Sequence, residues 1–483
     1  MKIVIVGGGS AGWMTAATLV KAYPEWDITL YEDERTPTVG VGESTTQFFA
    51  KWVHFLGVKD EEWMPACDAT YKISVRFCDF HKKGDDPWQY PFALPREVGL
   101  PDQWWYNADK HGWKYGQFAR DFFIAAECAE RNKLPVGRGE FDLKVHSGYQ
   151  MDAVKFSAWL RDGYCKPKGV KHKIERVDPN NLPEADLYFD CTGFACLLDK
   201  SEWIDYSDFL PNNHAWVTRI AYNDKEKQMV PYTNCTALDN GWVWNVPLIH
   251  RMGTGYVFSD KFTTPEEARD EFRNYLEENV ESDVGAYSDD MFRLLKYKCG
   301  RKKEPWNGKV VSIGLSSGFI EPVESNGLLS VHQMLLLFLR VMKDRTVVTQ
   351  FMRDTFNNRS NNAFDGFTSF VALHYAMTQR DDSDYWKHVC NIRYPHLAGV
   401  SVRDVQETYL AESAKFSNWT WDEQAMWCVM AGHGWNPFCH VIHDEIEYFG
   451  GLDEPAPPIP PEWIGLDSLP SPYQYYKENL YAS

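Results

Sequence analysis

The sequence predicts an α/β fold: a Rossmann-like core, an added sheet, and a mostly helical C-terminal region. Three observations predict it. Residues 2–6 (KIVIV) read as a buried strand, GGGSAG follows, AGWMTAATLVKA has helical spacing, and DITLYE (27–32) reads as a second strand. That β-α-β order within roughly 30 residues is the size of a nucleotide-binding unit. Two further runs, DLYFDC (186–191) and KVVSIG (309–314), read as buried strands far along the chain. Finally, SNGLLSVHQMLLLFLRVM has helical periodicity from about Asn326, and the last ~130 residues are mostly helical and aromatic in pattern.

Between these elements lie two other kinds of segment. Residues 50–145 are aromatic-rich and irregular, except for the strand-like run ATYKISVRF (69–77). Alternation there puts Tyr71, Ile73 and Val75 on one face and Lys72, Ser74 and Arg76 on the other. VTRIAY (217–222), GWVWNVP (241–247) and GYVFS (255–259) read as strands of a second sheet. The expected division is a core over 1–345, carrying inserted segments at about 50–145 and 205–295, and a C-terminal region over 346–483 with a proline-rich stretch, EPAPPIPPEW (454–463). No repeat and no clear linker is visible.

Composition narrows the function. Of 483 residues, 44% are hydrophobic and 15% aromatic, with 20 tryptophans, so core material is ample and a flat apolar ligand is one use for the surplus. A net charge of −18 argues against a general nucleic-acid binder, which carries a basic face. The eleven cysteines contain no CxxC pair, so no zinc or thioredoxin motif is written, no metal is expected, and reduced cytoplasmic thiols are the simple reading. No stretch has the apolar length of a membrane span, and the opening run is too short for a signal peptide.

The opening motif is GxGxxG. Gly7 permits the tight turn, Gly9 lets a pyrophosphate approach the backbone, and Gly12 lets helix and strand pack closely. The phosphates then meet the helix N-terminus at Ser10 and Ala11, where free N–H groups favour anions. Glu32, at the end of the second strand, stands where a carboxylate binds ribose hydroxyls. GVGEST (40–45) is a second polar loop: Gly42 allows close approach, and Glu43 and Ser44 suit a flavin's ribitol or, for Ser44 and Thr45, a helix cap. DCTGF (190–194) puts Asp190 and Gly193 at a strand end near the expected dinucleotide, or at a plain turn.

Other stretches carry competing readings. GLSSG (314–318) fits the nucleophile elbow GxSxG with Ser316, and His332 and His433 lie downstream, which makes a serine hydrolase the rival enzyme class. FIEPVESNGLL (319–329) breaks at Pro322 and leads through Glu324 and Ser325 into a helix N-terminus at Asn326-Gly327, suited to a small anion or to ordinary capping. Lys72 by itself is most simply a surface lysine. Trp242 and Trp244 point the same way on a strand, as a packed core or as a wall.

Together GGGSAGWMTA, GVGES, GWVWNVP and SSGFIEPVES resemble the flavin-dependent halogenases of the tryptophan-halogenase family. The resemblance runs from the start to about residue 345, with a weaker echo at MAGHGWNP (430–437). Val246 replaces the isoleucine of the family's GWxWxIP. The resemblance implies FAD, reduced by a separate flavin reductase, that reacts with oxygen to a hydroperoxide. Halide attack then gives hypohalous acid, which crosses a tunnel to a lysine beside an electron-rich aromatic substrate. Lys72 matches that lysine, Glu324 and Ser325 its neighbours, Asn326 and Gly327 the halide-binding amides, and Gly314 and Leu315 the loop beside the flavin. Asn326 stands where the family usually has threonine, which leaves halide preference open. Trp242 and Trp244 would wall flavin from substrate. Tyr90 and Phe92 (QYPFA, 89–93) match the substrate region, with Trp419, Trp421, Trp427 and Trp435 as an opposing wall. A flavin monooxygenase on the same fold is the second enzyme reading. Association into a homo-oligomer is left open.

Overall fold

The computed structural model describes residues 1–35, 42–92, 101–139, 141–280, 287–343, 345–392, 423–436, 447–448 and 463–481. Gly40 and Val41, Trp419 and Trp421, and 454–462 of the proline-rich stretch lie outside them.

The nucleotide-type core is a six-stranded sheet. Lys2–Val6 is central, flanked by parallel Asp27–Glu32 and Leu187–Asp190. Lys171–Ile174 and Val310–Ser312 extend it in parallel on either side, and Trp306–Asn307 closes one edge antiparallel. The run KIVIV is apolar at every turn of the pleat because both faces of a parallel sheet are covered. Helix Ser10–Ala22 covers one face, burying Trp13, Met14, Leu19 and Val20. Its approach depends on Gly12, where a Cβ would lie 1.9 Å from the Gly7 carbonyl oxygen.

A seven-stranded sheet runs Arg293–Lys296, His214–Ile220, Met252–Phe258, Gly241–Pro247, Tyr232–Ala237, Ser74–Cys78, Trp88–Pro91. All neighbours are antiparallel except Tyr232–Ala237 with Ser74–Cys78. The register places Phe77, Cys235, Trp244 and Gly255 in one row across it. Gly255 is required there: a Cβ would lie 2.3 Å from the Trp244 ring.

The single strand expected over 69–77 is two strands in two sheets. Thr70–Lys72 pairs with Gly148–Asp152, which also pairs with Gly42–Ser44, while Ser74–Cys78 joins the seven-stranded sheet. The break is at Ile73, whose N–H donates to the Pro231 carbonyl and whose carbonyl accepts from Phe92 N–H. Alternation therefore does not separate core from solvent, and Lys72 is 0% exposed rather than a surface lysine.

Helix Gly327–Met342 packs on Ser10–Ala22 and on the 27-residue helix Gln350–Ala376. Among the described residues no helix is long and apolar enough to cross a membrane.

Candidate functional site

A cavity of about 560 Å³ lies between the parallel sheet and one face of the seven-stranded sheet. Gly7, Gly9, Ser10, Ala11 and Glu32 line it, as do Gly42, Glu43, Ser44, Gly193, Gly314, Leu315, Asn326 and Gly327. Segments as far apart in sequence as Gly7 and Gly327 thus meet in one space.

The phosphate end is built by glycine. Gly9 caps the helix with extended backbone, makes no side-chain cap and is followed by no acidic residue in the first turn, so the first N–H groups face the cavity uncompensated. A Cβ on Gly9 would meet nothing within 4 Å, whereas one on Gly8 would lie 2.2 Å from the Glu32 carboxyl carbon. Glu32 therefore rests on the glycine loop, and His172 Nε2, 2.9 Å from its Oε2, holds it there. An open cradle, free amides and a carboxylate at the far end suit the two phosphates and ribose of FAD.

Asp190 does not line the cavity. It is fully buried, and its carboxylate accepts from Thr192 N–H (3.0 Å), Thr192 hydroxyl (2.6 Å), Ser316 hydroxyl (3.1 Å) and Leu198 N–H (2.8 Å). It folds the loop that presents Gly193. The same bonds remove the hydrolase reading. The Ser316 hydroxyl is held by Asp190 and the Gly193 carbonyl (3.0 Å), while among the described residues neither nitrogen of the buried His332 and His433 has a hydrogen-bond partner, Ser316 included.

At the opposite end sits Lys72. Its Nζ donates to Ser325 Oγ at 2.6 Å, and Ser325 donates to Ser44 Oγ at 3.2 Å. Ser44 bonds Thr233 at 2.9 Å, and Thr233 donates to Gln150 at 3.2 Å. Ser325, Ser44 and Thr233 all line the cavity, so one hydroxyl separates the lysine from it. Burial lowers the Lys72 pKa to about 8, against the opposing charge of Glu324. The Phe92 ring lies 5.1 Å from the ammonium nitrogen. Tyr90 is buried beside Phe92 and Phe370. Ser325 takes a left-handed φ of 56° after the turn Pro322–Glu324, a conformation non-glycine residues seldom adopt, and this aims adjacent side chains at different groups. Glu324 contacts His374, its Oε1 lying 2.7 Å from Nε2, with both side chains essentially fully buried.

Asn326 and Gly327 begin helix Gly327–Met342. The Asn326 side-chain amide nitrogen donates to the Glu321 carbonyl at 3.2 Å, and its side-chain oxygen is buried without a partner among the described residues. Glu43 faces the same place: a Cβ on Gly327 would lie 3.8 Å from its Oε2. Burial alone raises the Glu43 pKa to about 7.

Trp242 and Trp244 do share a face, with ring centroids 6.0 Å apart. Trp244 lines the cavity. Trp242 is fully buried, and its indole N–H is shared between Tyr375 hydroxyl at 2.9 Å and Glu321 Oε2 at 3.3 Å. Glu321 also accepts from Tyr375 (2.5 Å) and Asn212 (2.8 Å), and burial raises its pKa to about 7. Sequence reasoning missed Glu321, Thr233, His172 and His374. The first lay inside the quoted FIEPVES motif; the others stand in ordinary strand and helix patterns that carry no local signal.

The fold and this cavity define a flavoprotein-type nucleotide-binding enzyme with a buried lysine one hydroxyl from the cofactor space. The family described as tryptophan halogenase matches residues 2–444, and the chain belongs to it. It is 34% identical over 432 residues to tryptophan 6-halogenase SttH of Streptomyces toxytricini, covering 80% of each chain. It is 29% identical over 491 residues to tryptophan 7-halogenase RebH of Lentzea aerocolonigenes, covering 90% of each. Among solved structures, VirX1 superposes with a TM-score of 0.87 at 32% identity over 100% of this chain and 99% of that one. The SttH structure superposes with 0.81 at 30% identity, over 98% and 99%. The protein is a flavin-dependent halogenase, and the family implies FAD with a halide co-substrate.

Proposed function

We propose that this enzyme halogenates an electron-rich aromatic small molecule, with hypohalous acid passing from the FAD cavity to Lys72. FAD, when bound in its reduced form, supplies the two electrons with which oxygen and halide become hypohalous acid. A separate flavin reductase supplies that reduced form. The chain's own residues do the rest. Gly7 to Ala11 and Glu32 hold the phosphates and ribose, and Gly42, Ser44, Gly193, Gly314 and Leu315 border the remainder of the cofactor. The Asn326 and Gly327 amides hold the halide at the helix N-terminus. Trp244, backed by Trp242, closes the cavity on the sheet side and keeps aromatic substrate from the flavin.

The observation that carries the reading is the Lys72–Ser325 bond of 2.6 Å, with Ser325 on the cavity wall. It supports a role for the Lys72 ammonium where an oxidant would leave the cavity. There Lys72 polarises the halogen toward substrate held near Phe92 and Tyr90, and Glu324 takes the proton the ring gives up. The test is reduced FAD with each halide and a panel of phenols, indoles and pyrroles, read by mass spectrometry. Addition of halogen that disappears in Lys72→Ala supports the reading. Addition of oxygen instead, or halogenation undiminished in Lys72→Ala, overturns it.

A further inference from the structure

Gln150 sits in the middle of strand Gly148–Asp152, in a stretch that carries no motif. It is fully buried, and its side-chain oxygen accepts from the Thr233 hydroxyl at 3.2 Å. The register brings it there: Gln150 stands opposite Ser44 on one neighbouring strand and opposite Thr70 on the other. Thr233, 3% exposed, comes from the seven-stranded sheet, where it pairs with Val75. Two polar residues without an announced task thus adjoin Ser44, to which Ser325, the partner of Lys72, is also bonded.

The direction of these bonds follows from the hydrogens available. An ammonium has no lone pair, so Ser325 accepts from Lys72 Nζ at 2.6 Å. A hydroxyl has one hydrogen, and that of Ser325 goes to Ser44 Oγ at 3.2 Å. The Ser44 hydrogen then goes to Thr233 at 2.9 Å, and the Thr233 hydrogen to the Gln150 oxygen. Every bond points the same way, from the lysine to an amide carbonyl, and every residue joined is at most 9% exposed. The reverse orientation of the Gln150 amide would put donors at both ends and leave one hydroxyl hydrogen without an acceptor in the chain. Aligned hydrogen bonds in a dry interior polarise one another, so each strengthens the acceptor before it. The first acceptor, Ser325 Oγ, is the one hydrogen-bond partner of the Lys72 ammonium among the described residues.

We propose that Thr233 and Gln150 are positioning residues for Lys72: they anchor a one-way hydroxyl chain that keeps the Ser325 lone pair turned to the lysine and favours its ammonium form. The inference rests on Lys72 being the residue that polarises the halogen. Burial works against the ammonium, lowering the Lys72 pKa to about 8, and Glu324 opposes burial. The chain acts in the same sense as Glu324, with neutral groups in place of a charge. The titratable groups facing the lysine are Glu324 on the loop, with His374 beyond it, Cys235 on strand Tyr232–Ala237, and Glu43 beside Ser44 on the cavity wall. None of them is a member of the chain, so its effect is separable from theirs.

The test is the titration of Lys72 itself, followed by NMR in the full-length protein labelled with 13C-lysine, its signal assigned by loss in Lys72→Met. Thr233→Val keeps the shape and removes the hydroxyl, and Gln150→Leu removes the terminal acceptor. Each should lower the titration midpoint by about one unit. Thr233→Ser restores the hydroxyl and should restore the midpoint. Thr218→Val removes another buried strand hydroxyl, one that donates to the Met291 carbonyl at 2.9 Å, and should leave the midpoint where it is. An unmoved midpoint in folded Thr233→Val overturns the proposal, whether or not Gln150→Leu folds. So does an equal shift in Thr218→Val. Activity is the second arm: at about pH 7.5 the one-unit drop should lower halogenation about 3-fold in Thr233→Val and not in Thr233→Ser. A lowered midpoint in a protein whose Lys72→Ala variant halogenates at the unmodified rate would uphold the chain and refute the lysine's part in the chemistry, which separates the two readings.

Discussion

Lys72 Nζ and Ser325 Oγ, 253 positions apart in sequence, lie 2.6 Å from each other in a fully buried contact. The pair joins a short strand of one sheet to the loop that leads into helix Gly327–Met342, so a change at either residue is felt at both the lysine and the cavity wall. Lys72→Ala should leave FAD affinity unchanged and lower product formation by at least about 100-fold. Lys72→Arg should not restore it, because a planar guanidinium does not fit a point-charge site between Ser325 and Phe92. Product mass and flavin fluorescence check both.

The same lysine destabilises the fold at neutral pH. Its pKa is lowered from 10.5 to about 8, so the folded state resists the charge that the unfolded chain carries freely. The penalty is fully present below about 8 and disappears as pH rises toward 10.5. Urea unfolding should show Lys72→Met gaining more stability at pH 7 than at pH 10.5, the difference being up to about 3 kcal/mol. An equal gain at both pH values would show that burial does not cost the charged form.

Three glycines of the opening loop should fail in different ways. Gly9→Val puts a side chain into open space, so the protein should fold and melt normally while FAD affinity falls about 100-fold, as for a steric block of ~3 kcal/mol. Gly12→Ala forces a Cβ to 1.9 Å from the Gly7 carbonyl oxygen and should cost stability itself, by about 3 kcal/mol. Gly8→Ala displaces Glu32 and should weaken FAD binding with a smaller loss of stability. Calorimetry and cofactor titration of the same preparations separate these outcomes.

Trp242 and Trp244 should also part company. Trp242→Phe removes a donor from buried Glu321 and should cost about 1–3 kcal/mol. Trp244→Phe, at the cavity wall, should cost less than about 1 kcal/mol and instead change the yield of halogenated product per flavin oxidised. Thermal melts and product-to-flavin ratios check the contrast.

Glu43 links pH to the halide. Its pKa is raised from 4.5 to about 7 by burial, so the carboxyl is neutral below that pH and charged above it. A charge there faces the Gly327 end of the proposed halide site, so halide affinity should fall as pH rises through about 7. Glu43→Gln should flatten that dependence. A halide titration that follows the same pH curve in both proteins would place the halide elsewhere.

The sequence by itself determined the glycine loop, the carboxylate at Glu32, the parallel strands and the helix beginning after Asn326. Each is written in neighbouring residues, because backbone freedom and side-chain period act over a few positions. The resemblance that rests on GWVWNVP and FIEPVES was legible for the same reason. Only the tertiary structure decided that Lys72 is buried, since 69–77 splits between two sheets whose other strands extend as far along the chain as Arg293–Lys296. It alone showed Asp190 bonded within its own loop, put Trp244 on the cavity wall with Trp242 buried behind it, and set His374 against Glu324. Those outcomes depend on which distant backbone donors and acceptors share a dry interior, and the energy of a buried polar group is set by that company rather than by its neighbours in sequence.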